Sequence, residues 1–235
     1  MGTSSGELKR VAGRAAADLV IDGMAVGLGS GSTLVHVIHR LGERVRDEGL
    51  RITGVATSFE SRSLAREMGI PLREPMDTAE LDLALDGADE VDPAGHHLKG
   101  AGAAQVLEKI VASMARRYVL VVDESKLVAR LGLKRPVVLD VATPALAYVL
   151  RRIDRLGGQA TPRTGSGKIG PVISDQGHIV VDARFDGIDD PPGLCTALDA
   201  IPGLVGHGLF VNLATAMVVA RQGPGGPEAD LVEFT

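Results

Sequence analysis

Hydrophobic residues follow two spacings along this chain, and segments with the two spacings alternate. Segments 8–19 and 103–114 repeat apolar residues every three or four positions, as a helix with one buried face requires. Residues 118–122 form a continuous apolar run, which is typical of a strand buried in a parallel sheet. Leucines alternate with other residues over positions 81–85 and also indicate a strand. The alternation of helices and strands predicts an α/β protein.

The same spacings predict elements along the whole chain. Predicted helices cover residues 8–22, 34–41, 59–68, 103–114, 144–156 and 194–200. Predicted strands cover residues 24–28, 51–56, 70–72, 81–85, 118–122, 137–141, 159–163, 171–174, 178–185 and 203–211. Ser4 and Glu7 form a capping-box pattern in front of the first helix. We expect the chain to end in a glycine- and proline-rich tail before residues 231–234.

The character of the chain changes after Lys126. Residues 130–136 combine glycine, charge and proline, which predicts a boundary between structural units. Residues 137–200 then contain a strand-helix-strand-strand-helix series, and this order indicates a compact α+β unit.

Polar residues collect where three predicted strands end, at residues 29–33, 86–89 and 123–126. In open α/β sheets, ligands bind outside the carboxyl ends of the strands. We therefore expect these segments, Lys126 included, to contribute to one binding site. On spacing alone, a solvated lysine at the start of a helix explains Lys126 equally well.

The segment after the first buried strand, residues 29–33, has the sequence GSGST. Glycines let an anion approach the backbone, and amides at a helix N-terminus attract it. A Walker-type P-loop is excluded because no Lys-Ser/Thr pair ends the turn. A dinucleotide fingerprint fits poorly because the second strand ends at Thr57-Ser58 without an acidic residue. A monophosphate cradle fits best, and a plain strand-to-helix connection remains the alternative.

Residues 81–115 hold the densest group of chemically active side chains. Asp86 and Asp89 lie at the end of a predicted strand, and Lys99 enters a run of glycine and alanine. Glu108 lies on the helix that follows, with alanines one turn before and after it. Three carboxylates and a lysine suit proton transfer on a small anionic molecule. Taken singly, an Asp-Gly turn and a solvated glutamate are the simpler explanations.

The amino-acid composition restricts which partners and which cellular compartment we expect for this protein. Hydrophobic residues make up 45% of the chain and aromatic residues only 3%, so valine, leucine, isoleucine and alanine must build the core. The net charge is -5 and no dense basic run occurs, which argues against nucleic acid as a partner. The longest apolar region, residues 209–220, is too short to span a membrane. The single Cys195 and the absence of a signal-peptide pattern favour a cytoplasmic location.

Histidine and serine patterns argue against two other kinds of site. His36 and His39 have helical spacing, and His96 and His97 precede Lys99, yet no partners stand at metal-ligand spacing. We therefore expect no structural metal. Local sequence suggests no Ser-His-Asp or Cys-His arrangement, although such partners can be far apart in the chain.

Several motifs, in their order and spacing, closely resemble ribose-5-phosphate isomerase of the A type, and the resemblance covers nearly the whole chain. The motifs are residues 27–33 (GLGSGST), 86–90 (DGADE), 99–104 (KGAGAA), 108–110 (EKI), 123–126 (DESK), 201–203 (IPG) and 208–210 (GLF). The resemblance implies a Rossmann-like open parallel sheet domain, residues 1–130 plus 203–235. It also implies a smaller α+β domain, residues 131–202, inserted before the last strand.

The resemblance further implies a cofactor-free aldose–ketose isomerase that interconverts ribose 5-phosphate and ribulose 5-phosphate. Matched position by position, its catalytic residues are Glu108, Asp86, Asp89 and Lys99. Its substrate-binding residues are Ser30, Gly31, Ser32, Thr33, Asp86, Gly87, Ala88, Asp89, Lys99, Gly100, Ala101, Gly102, Lys126 and Lys9. The family usually forms homodimers or homotetramers. Ser30 replaces a more familiar threonine, Ala101 a glycine, and Leu107 a residue that is polar in many members.

The mechanism that follows is a proton-transfer isomerisation. Glu108 removes the C2 proton of the open-chain aldose and returns it to C1 through a cis-enediolate, while Lys99 stabilises the oxyanion. The two aspartates handle hydroxyl protons and ring opening. Three alternatives stay open: a sugar-phosphate sensor without catalysis, a sugar-phosphate deaminase or lactonase, and a metal-assisted hydride shift.

Overall fold

A computed structural model describes residues 5–234 of the chain. The predicted capping box includes Ser4, which lies outside the described residues. The chain divides into two compact units. The first unit comprises Met1–Ala88, Ile110–Leu127 and Leu213–Thr235, and the second comprises Asp89–Lys109 and Val128–Asn212. These units place residues 89–109, 128–130 and 203–212 in the second unit, whereas the sequence-based division at 131–202, which stays a prediction, places them in the main domain.

Helices and strands alternate through most of the chain. The α-helices are α1 (Ser5–Ala17), α2 (Leu34–Asp47), α3 (Phe59–Glu67), α4 (Gln105–Met114), α5 (Leu146–Arg155) and α6 (Pro191–Asp199). The strands are β1 (Ala25–Leu28), β2 (Thr53–Ala56), β3 (Leu83–Asp86), β4 (Glu90–Val91), β5 (His97–Leu98), β6 (Tyr118–Asp123), β7 (Val137–Val141), β8 (Gln159–Pro162), β9 (Ile179–Arg184), β10 (Leu204–His207), β11 (Leu209–Phe210), β12 (Ala216–Gly223) and β13 (Gly226–Glu233).

The first unit is built on a six-stranded sheet with the order β13-β12-β6-β3-β1-β2. Neighbouring strands from β2 to β12 run parallel, and β13 is antiparallel at the edge. β3, β6 and most of β12 are buried, as their apolar sequences predict. This sheet and its helices confirm the predicted α/β class.

The core of the first unit forms between this sheet and its helices. Helix α1 packs against α2 and against β6 and β12. Leu8 and Ala12 of α1 and Leu34 and Ile38 of α2 are among the buried side chains. Burial of each leucine or isoleucine side chain contributes about 1.5–3 kcal/mol. The helical spacing of residues 8–19 therefore corresponds to a real buried face.

The second unit contains a four-stranded antiparallel sheet in the order β10-β7-β9-β8 and a three-stranded sheet, β11-β5-β4. In the larger sheet, Val137 pairs with Ala183 and Val141 with Ile179. Buried residues of this sheet pack with Val149 and Ile153 of α5 in a second hydrophobic core. The unit has the mixed α and β content that the sequence of residues 137–200 indicates.

Several predicted elements are wrong in part. The predicted helix 8–22 ends at Ala17, and the predicted helix 34–41 continues to Asp47. Residues 70–72 form only an isolated bridge between Leu72 and Gly54, and residues 171–174 form only isolated bridges. The predicted helix 103–114 begins at Gln105 instead. The predicted helix 144–156 begins at Leu146, after a turn of 3-10 helix.

The predicted strand 203–211 is broken into β10 and β11 at Gly208. A Cβ at that position would overlap the Lys99 carbonyl oxygen, so the backbones approach too closely for any other residue.

The expected tail is a β-hairpin formed by β12 and β13. β12 is not among the strands predicted from the sequence, and it pairs in parallel with β6. Pro227 lies in β13, where the edge position tolerates the missing amide hydrogen. Among the described residues, no helix is long and apolar enough to cross a membrane.

Candidate active site

Within the first unit, the strand order reverses between β1 and β3. From β1 the chain continues to β2 on one side, whereas β3 lies on the other side of β1. Leu28 at the end of β1 is level with Leu85, the residue before Asp86. Segment 29–33 and Asp86 therefore lie at the carboxyl ends of adjacent strands, at the reversal point where open α/β sheets bind ligands.

The carboxylate of Asp86 holds the glycine-rich turn. Its Oδ1 accepts the backbone N–H of Ser30 at 3.1 Å and that of Gly87 at 2.7 Å. A Cβ on Gly29 would overlap the same carboxylate, so glycine is required at that contact. Asp86 is buried at the end of β3. Its side chain thus fixes the turn that the sequence predicts to be a phosphate cradle.

Side-chain hydroxyls continue this arrangement. Ser30 Oγ lies 2.8 Å from Thr57 Oγ1, and Thr57 Oγ1 donates to the Leu28 carbonyl at 3.2 Å. Gly31 has a φ of +100°, a left-handed conformation that favours glycine. Ser32 is exposed, and Thr33 is buried at the N-cap position of α2. The turn places backbone amides before a 14-residue helix, which is the arrangement that binds anions.

Two lysines of the predicted site belong to this unit. Lys9 lies on α1, one turn before Gly13. Gly13 packs closely on α2: a Cβ there would be 2.7 Å from the His36 Cβ and 3.1 Å from the Thr33 carbonyl oxygen. The pKa of His36 is lowered, first by burial and then by positive charges that include Lys9. Lys9 is therefore near the first turn of α2.

Lys126 ends the short 3-10 helix that follows β6, Glu124–Lys126. Asp123 caps this turn by accepting the Ser125 N–H at 3.0 Å. β6 pairs with β3, the strand that ends in Asp86. Gly87 and Ala88 follow β3 and are half-buried. The structure thus brings the sequence-predicted residues of the first unit to the carboxyl end of its parallel strands.

In the second unit, Lys99 and Glu108 form a buried ion pair. Lys99 Nζ lies 3.3 Å from Glu108 Oε1, and each side chain is only 5% exposed. Glu108 is in the first turn of α4, where its backbone N–H bonds to the Ala104 carbonyl at 3.0 Å. Taking both charges out of water is costly unless they stay paired. Such a pair of ionisable groups is the kind of feature that marks a functional site.

The segment between them, residues 99–104, has an unusual backbone. Gly100 has a φ of +112° and Ala103 a φ of +59°. Lys99 N–H donates to the Gly208 carbonyl at 2.8 Å, and Ala103 N–H to the Gly100 carbonyl at 2.9 Å. Asp89 Oδ2 accepts the Ala101 N–H at 3.1 Å. The predicted residues Asp89, Lys99 and residues 100–102 therefore belong to one folded loop that leads into α4.

Four residues that hold this loop and helix were not identified from the sequence: Gln105, Asp140, Ser174 and Arg163. Gln105 at the start of α4 donates to the buried Asp140 at 2.9 Å, and Ser174 donates to the other oxygen of Asp140 at 2.8 Å. Burial raises the pKa of Asp140. Arg163 donates to two carbonyls of the loop, those of Gly100 and Ala101. The contacts join distant parts of the chain, so no local spacing reveals them.

One group of described residues offers metal-type ligand atoms: Cys195, Asp199 and His207, with those atoms within 4.8 Å of one another. Lys109 Nζ lies 3.2 Å from His207 Nδ1. Burial lowers the pKa of Lys109 to about 8, so the amine is mainly charged at neutral pH. Burial, followed by the Lys109 charge, lowers the pKa of His207 to about 4. A resident ammonium opposes a divalent cation at the same point, and we assign the cluster to hydrogen bonding around the neutral His207 ring.

His97, which the sequence left open as a metal ligand, is a core residue. Its buried ring lies 4.9 Å from the Phe210 ring, and its Nδ1 lies 3.0 Å from the Gly95 carbonyl oxygen. Burial lowers the pKa of His97 to about 3, so the ring is neutral. The neighbouring His96 accepts the Asn212 N–H at 3.4 Å. Both histidines therefore have structural contacts within the second unit.

The first unit has a glycine-rich turn at the strand-order reversal of a parallel sheet, and the second has a buried lysine–glutamate pair. Both features are typical of the functional sites of α/β enzymes. Residues 53–223 match the family model of ribose 5-phosphate isomerase A (phosphoriboisomerase A). Ribose-5-phosphate isomerase A of Thermosynechococcus vestitus is 49% identical over 223 residues, 94% of each chain. That of Methanosarcina acetivorans is 47% identical over 92% of this chain and 91% of its own. The chain belongs to the ribose 5-phosphate isomerase A family, and it is an isomerase.

Solved structures agree with this assignment. Ribose 5-phosphate isomerase A from Methanocaldococcus jannaschii has a TM-score of 0.91 at 38% identity, covering 98% of this chain and all (100%) of its own. A D-ribose-5-phosphate isomerase in complex with phospho-erythronic acid has a TM-score of 0.92 at 36% identity, with coverage of 98% and 100%. The predicted Rossmann-like domain with an inserted α+β domain is confirmed as the fold class.

Proposed function

We propose that this protein interconverts D-ribose 5-phosphate and D-ribulose 5-phosphate by proton transfer through an enediolate. The observation that carries the proposal is the buried ion pair of Lys99 and Glu108 at 3.3 Å. A carboxylate held out of water beside a fixed positive charge suits proton abstraction next to a carbonyl group. Family membership adds the substrate, since the relatives are named as ribose-5-phosphate isomerases.

Glu108 acts as the base in this mechanism. It removes the proton from C2 of the open-chain aldose, and the electron pair moves to form the enediolate. The same carboxyl group, whose proton exchanges with solvent, returns a proton to C1 while the hydroxyl proton moves from O2 to O1, so that no proton or electron is gained or lost. The Lys99 ammonium stabilises the oxyanion that develops as the proton leaves. A positioned general base of this kind contributes about 10²–10⁴-fold to the rate.

The two aspartates handle the hydroxyl protons and ring opening. Both carboxylates accept hydrogen bonds from backbone amides. Asp86 accepts them from Ser30 and Gly87, and Asp89 accepts one from Ala101. These bonds hold the carboxylates in fixed directions before substrate binds, which avoids an ordering cost during the reaction. No cofactor is required by this chemistry.

The turn at residues 29–33 binds the substrate phosphate, with Lys9 and Lys126 as the nearby positive charges. The left-handed Gly31 and the N-terminus of α2 support this assignment. A relative with the same fold has been solved in complex with phospho-erythronic acid, a phosphorylated sugar acid. Binding energy from the phosphate can lower the activation barrier at the reacting carbons, so free ribose is expected to be a very poor substrate.

The decisive experiment follows ribose 5-phosphate with the purified protein in deuterated water, with and without a chelator. We expect ribulose 5-phosphate with solvent deuterium at C1, at a rate that the chelator leaves unchanged. Chelator-sensitive turnover without label would indicate a metal-assisted hydride shift. Tight binding without turnover would indicate a sensor, and turnover of an amino sugar or lactone would indicate a different enzyme.

We also propose that the protein is a cytoplasmic homodimer or homotetramer. The family resemblance supports the assembly, and the metabolic role of the relatives together with the single cysteine supports the location. Sedimentation should show a species larger than the 24.4 kDa chain. A single 24.4 kDa species at working concentration would contradict the proposed assembly.

A further inference from the structure

Arg163 links the antiparallel sheet of the second unit to the loop at residues 99–104. It follows β8, and its guanidinium bonds to Asp182 of β9 through Nε at 3.0 Å and Nη2 at 2.5 Å. The remaining Nη1 donates to the Gly100 carbonyl at 3.2 Å and the Ala101 carbonyl at 3.0 Å. The Arg163 side chain is 18% exposed, so water competes weakly for these bonds. Four of the five N–H donors of the rigid, planar guanidinium are thereby engaged, two on Asp182 and two on the carbonyls of Gly100 and Ala101.

Asp89 holds the same peptides from the opposite side. Its Oδ2 accepts the Ala101 N–H, whose peptide also contains the Gly100 carbonyl bonded to Arg163. In a planar trans peptide, the N–H points away from the carbonyl of the preceding residue. The next peptide follows the same rule, because the Ala101 carbonyl faces Arg163. The Gly102 N–H is therefore directed away from Arg163.

The surroundings of this loop show that its conformation needs support. Gly100 is left-handed with a φ of +112°, and a Cβ there would lie 2.7 Å from the Val138 Cβ. A Cβ on Gly102, in contrast, would have no other atom within 4 Å. The loop is thus tightly held at Gly100 and open at Gly102. An open residue with an oriented amide is suited to donate a hydrogen bond to a substrate oxygen.

We propose that Arg163 is a positioning residue of the isomerase, which orients the Gly102 amide by holding the two preceding carbonyls. This inference rests on the proposed function, because its readout is isomerase turnover. Arg163 acts through geometry rather than charge, since Asp182 already neutralises the guanidinium. An amide aimed in advance at an oxygen that gains charge stabilises the transition state without a reorganisation cost.

The test compares Arg163→Lys with Arg130→Lys. Arg130 is a matched control because it also pairs with an aspartate, Asp189 at 2.7 Å, and donates to a carbonyl, that of Asp186 at 3.1 Å. It belongs to the same unit and does not contact residues 99–104 through these bonds. Lysine keeps the positive charge beside Asp182, so Arg163→Lys should unfold at the same urea midpoint as the control. Lysine lacks the planar fork of the guanidinium, so it cannot hold both loop carbonyls in the same way.

We expect kcat/KM of Arg163→Lys to fall by about tenfold or more, with the shape of its pH profile unchanged. We expect added guanidinium to restore part of the activity of Arg163→Ala, as a merely structural loss would not. Equal kcat/KM for the two lysine variants would overturn the inference, and so would inactive Arg163→Ala that guanidinium does not rescue. If the wild-type protein fails to convert ribose 5-phosphate, the proposed function fails instead, and the two failures are distinguishable.

Discussion

The buried pair of Lys99 and Glu108 should show strong energetic coupling in a double-mutant cycle. The cycle combines the substitutions Lys99→Met and Glu108→Gln, and each new side chain is close in shape to the original one. At the observed separation of 3.3 Å, Coulomb attraction at an effective dielectric constant of about 20 is about 5 kcal/mol. Removing one partner leaves the other charge buried without its counter-ion, which typically costs about 3–5 kcal/mol. The double variant buries neither charge and should lose much less than the sum of the single variants.

Urea unfolding at pH 7 measures the four free energies of unfolding. We expect a coupling energy of about 3 kcal/mol or more, far above the value for an exposed pair. The matched control is the exposed pair of Arg116 and Glu80 at 2.6 Å, whose side chains are 65% and 55% exposed. That cycle should give no more than about 1 kcal/mol. Additive losses at Lys99 and Glu108 would refute the view that this pair is a tightly coupled, desolvated unit.

Three further predictions concern catalysis, binding and pH. Glu108→Gln keeps the shape of the side chain but removes the base, so kcat should fall by about 10²-fold or more. Calorimetry should show that this variant still binds ribose 5-phosphate. Full activity would contradict the role of Glu108 as the base. Gly31→Ala strains a residue with a φ of +100°, so steady-state kinetics should show a raised KM for ribose 5-phosphate, and an unchanged KM would contradict the phosphate assignment. Burial lowers the pKa of His97 to about 3 and that of His207 to about 4. Below pH 6.5 each binds a proton more readily in the unfolded chain, so stability should fall by about 1.4 kcal/mol per pH unit for each histidine down to its folded pKa. His97→Gln should make the decline measured by urea unfolding shallower, and an unchanged slope would contradict this account.

Local sequence predicted the parts of the site that depend on neighbouring residues. The turn at 29–33 was recognisable because a strand, two glycines and a helix occur within a dozen residues. Asp86 was recognisable as the polar end of an apolar strand. The structure adds that Asp86 also anchors the turn, a contact between residues 56 positions apart that no spacing indicates. Local chemistry was therefore predictable, and the partners of each side chain were not.

The same limit explains the missed residues of the second unit. Arg163 lies 63 positions from Gly100, and its sequence surroundings resemble those of an ordinary strand end. None of the site residues predicted from the sequence lies in the inserted segment, residues 131–202. Its sheet instead supplies the arginine that holds the loop between Lys99 and α4. Long-range hydrogen bonds of this kind depend on sheet register, which periodicity alone does not determine.

At the start of α4, the difference between the predicted and the observed first residue of the helix matters for function. Apolar spacing predicts a helix from Ala103, but that residue has a φ of +59° and the helix begins at Gln105. A left-handed alanine costs about 1–2 kcal/mol, so the surrounding contacts must compensate for it. Hydrogen bonds from Ala103 to Gly100 and from Gln105 to Asp140 are such contacts. They fix the first turn of the helix, and therefore the direction from which Glu108 meets Lys99. The precision of the proposed base thus depends on a strained backbone that hydrophobic periodicity does not detect.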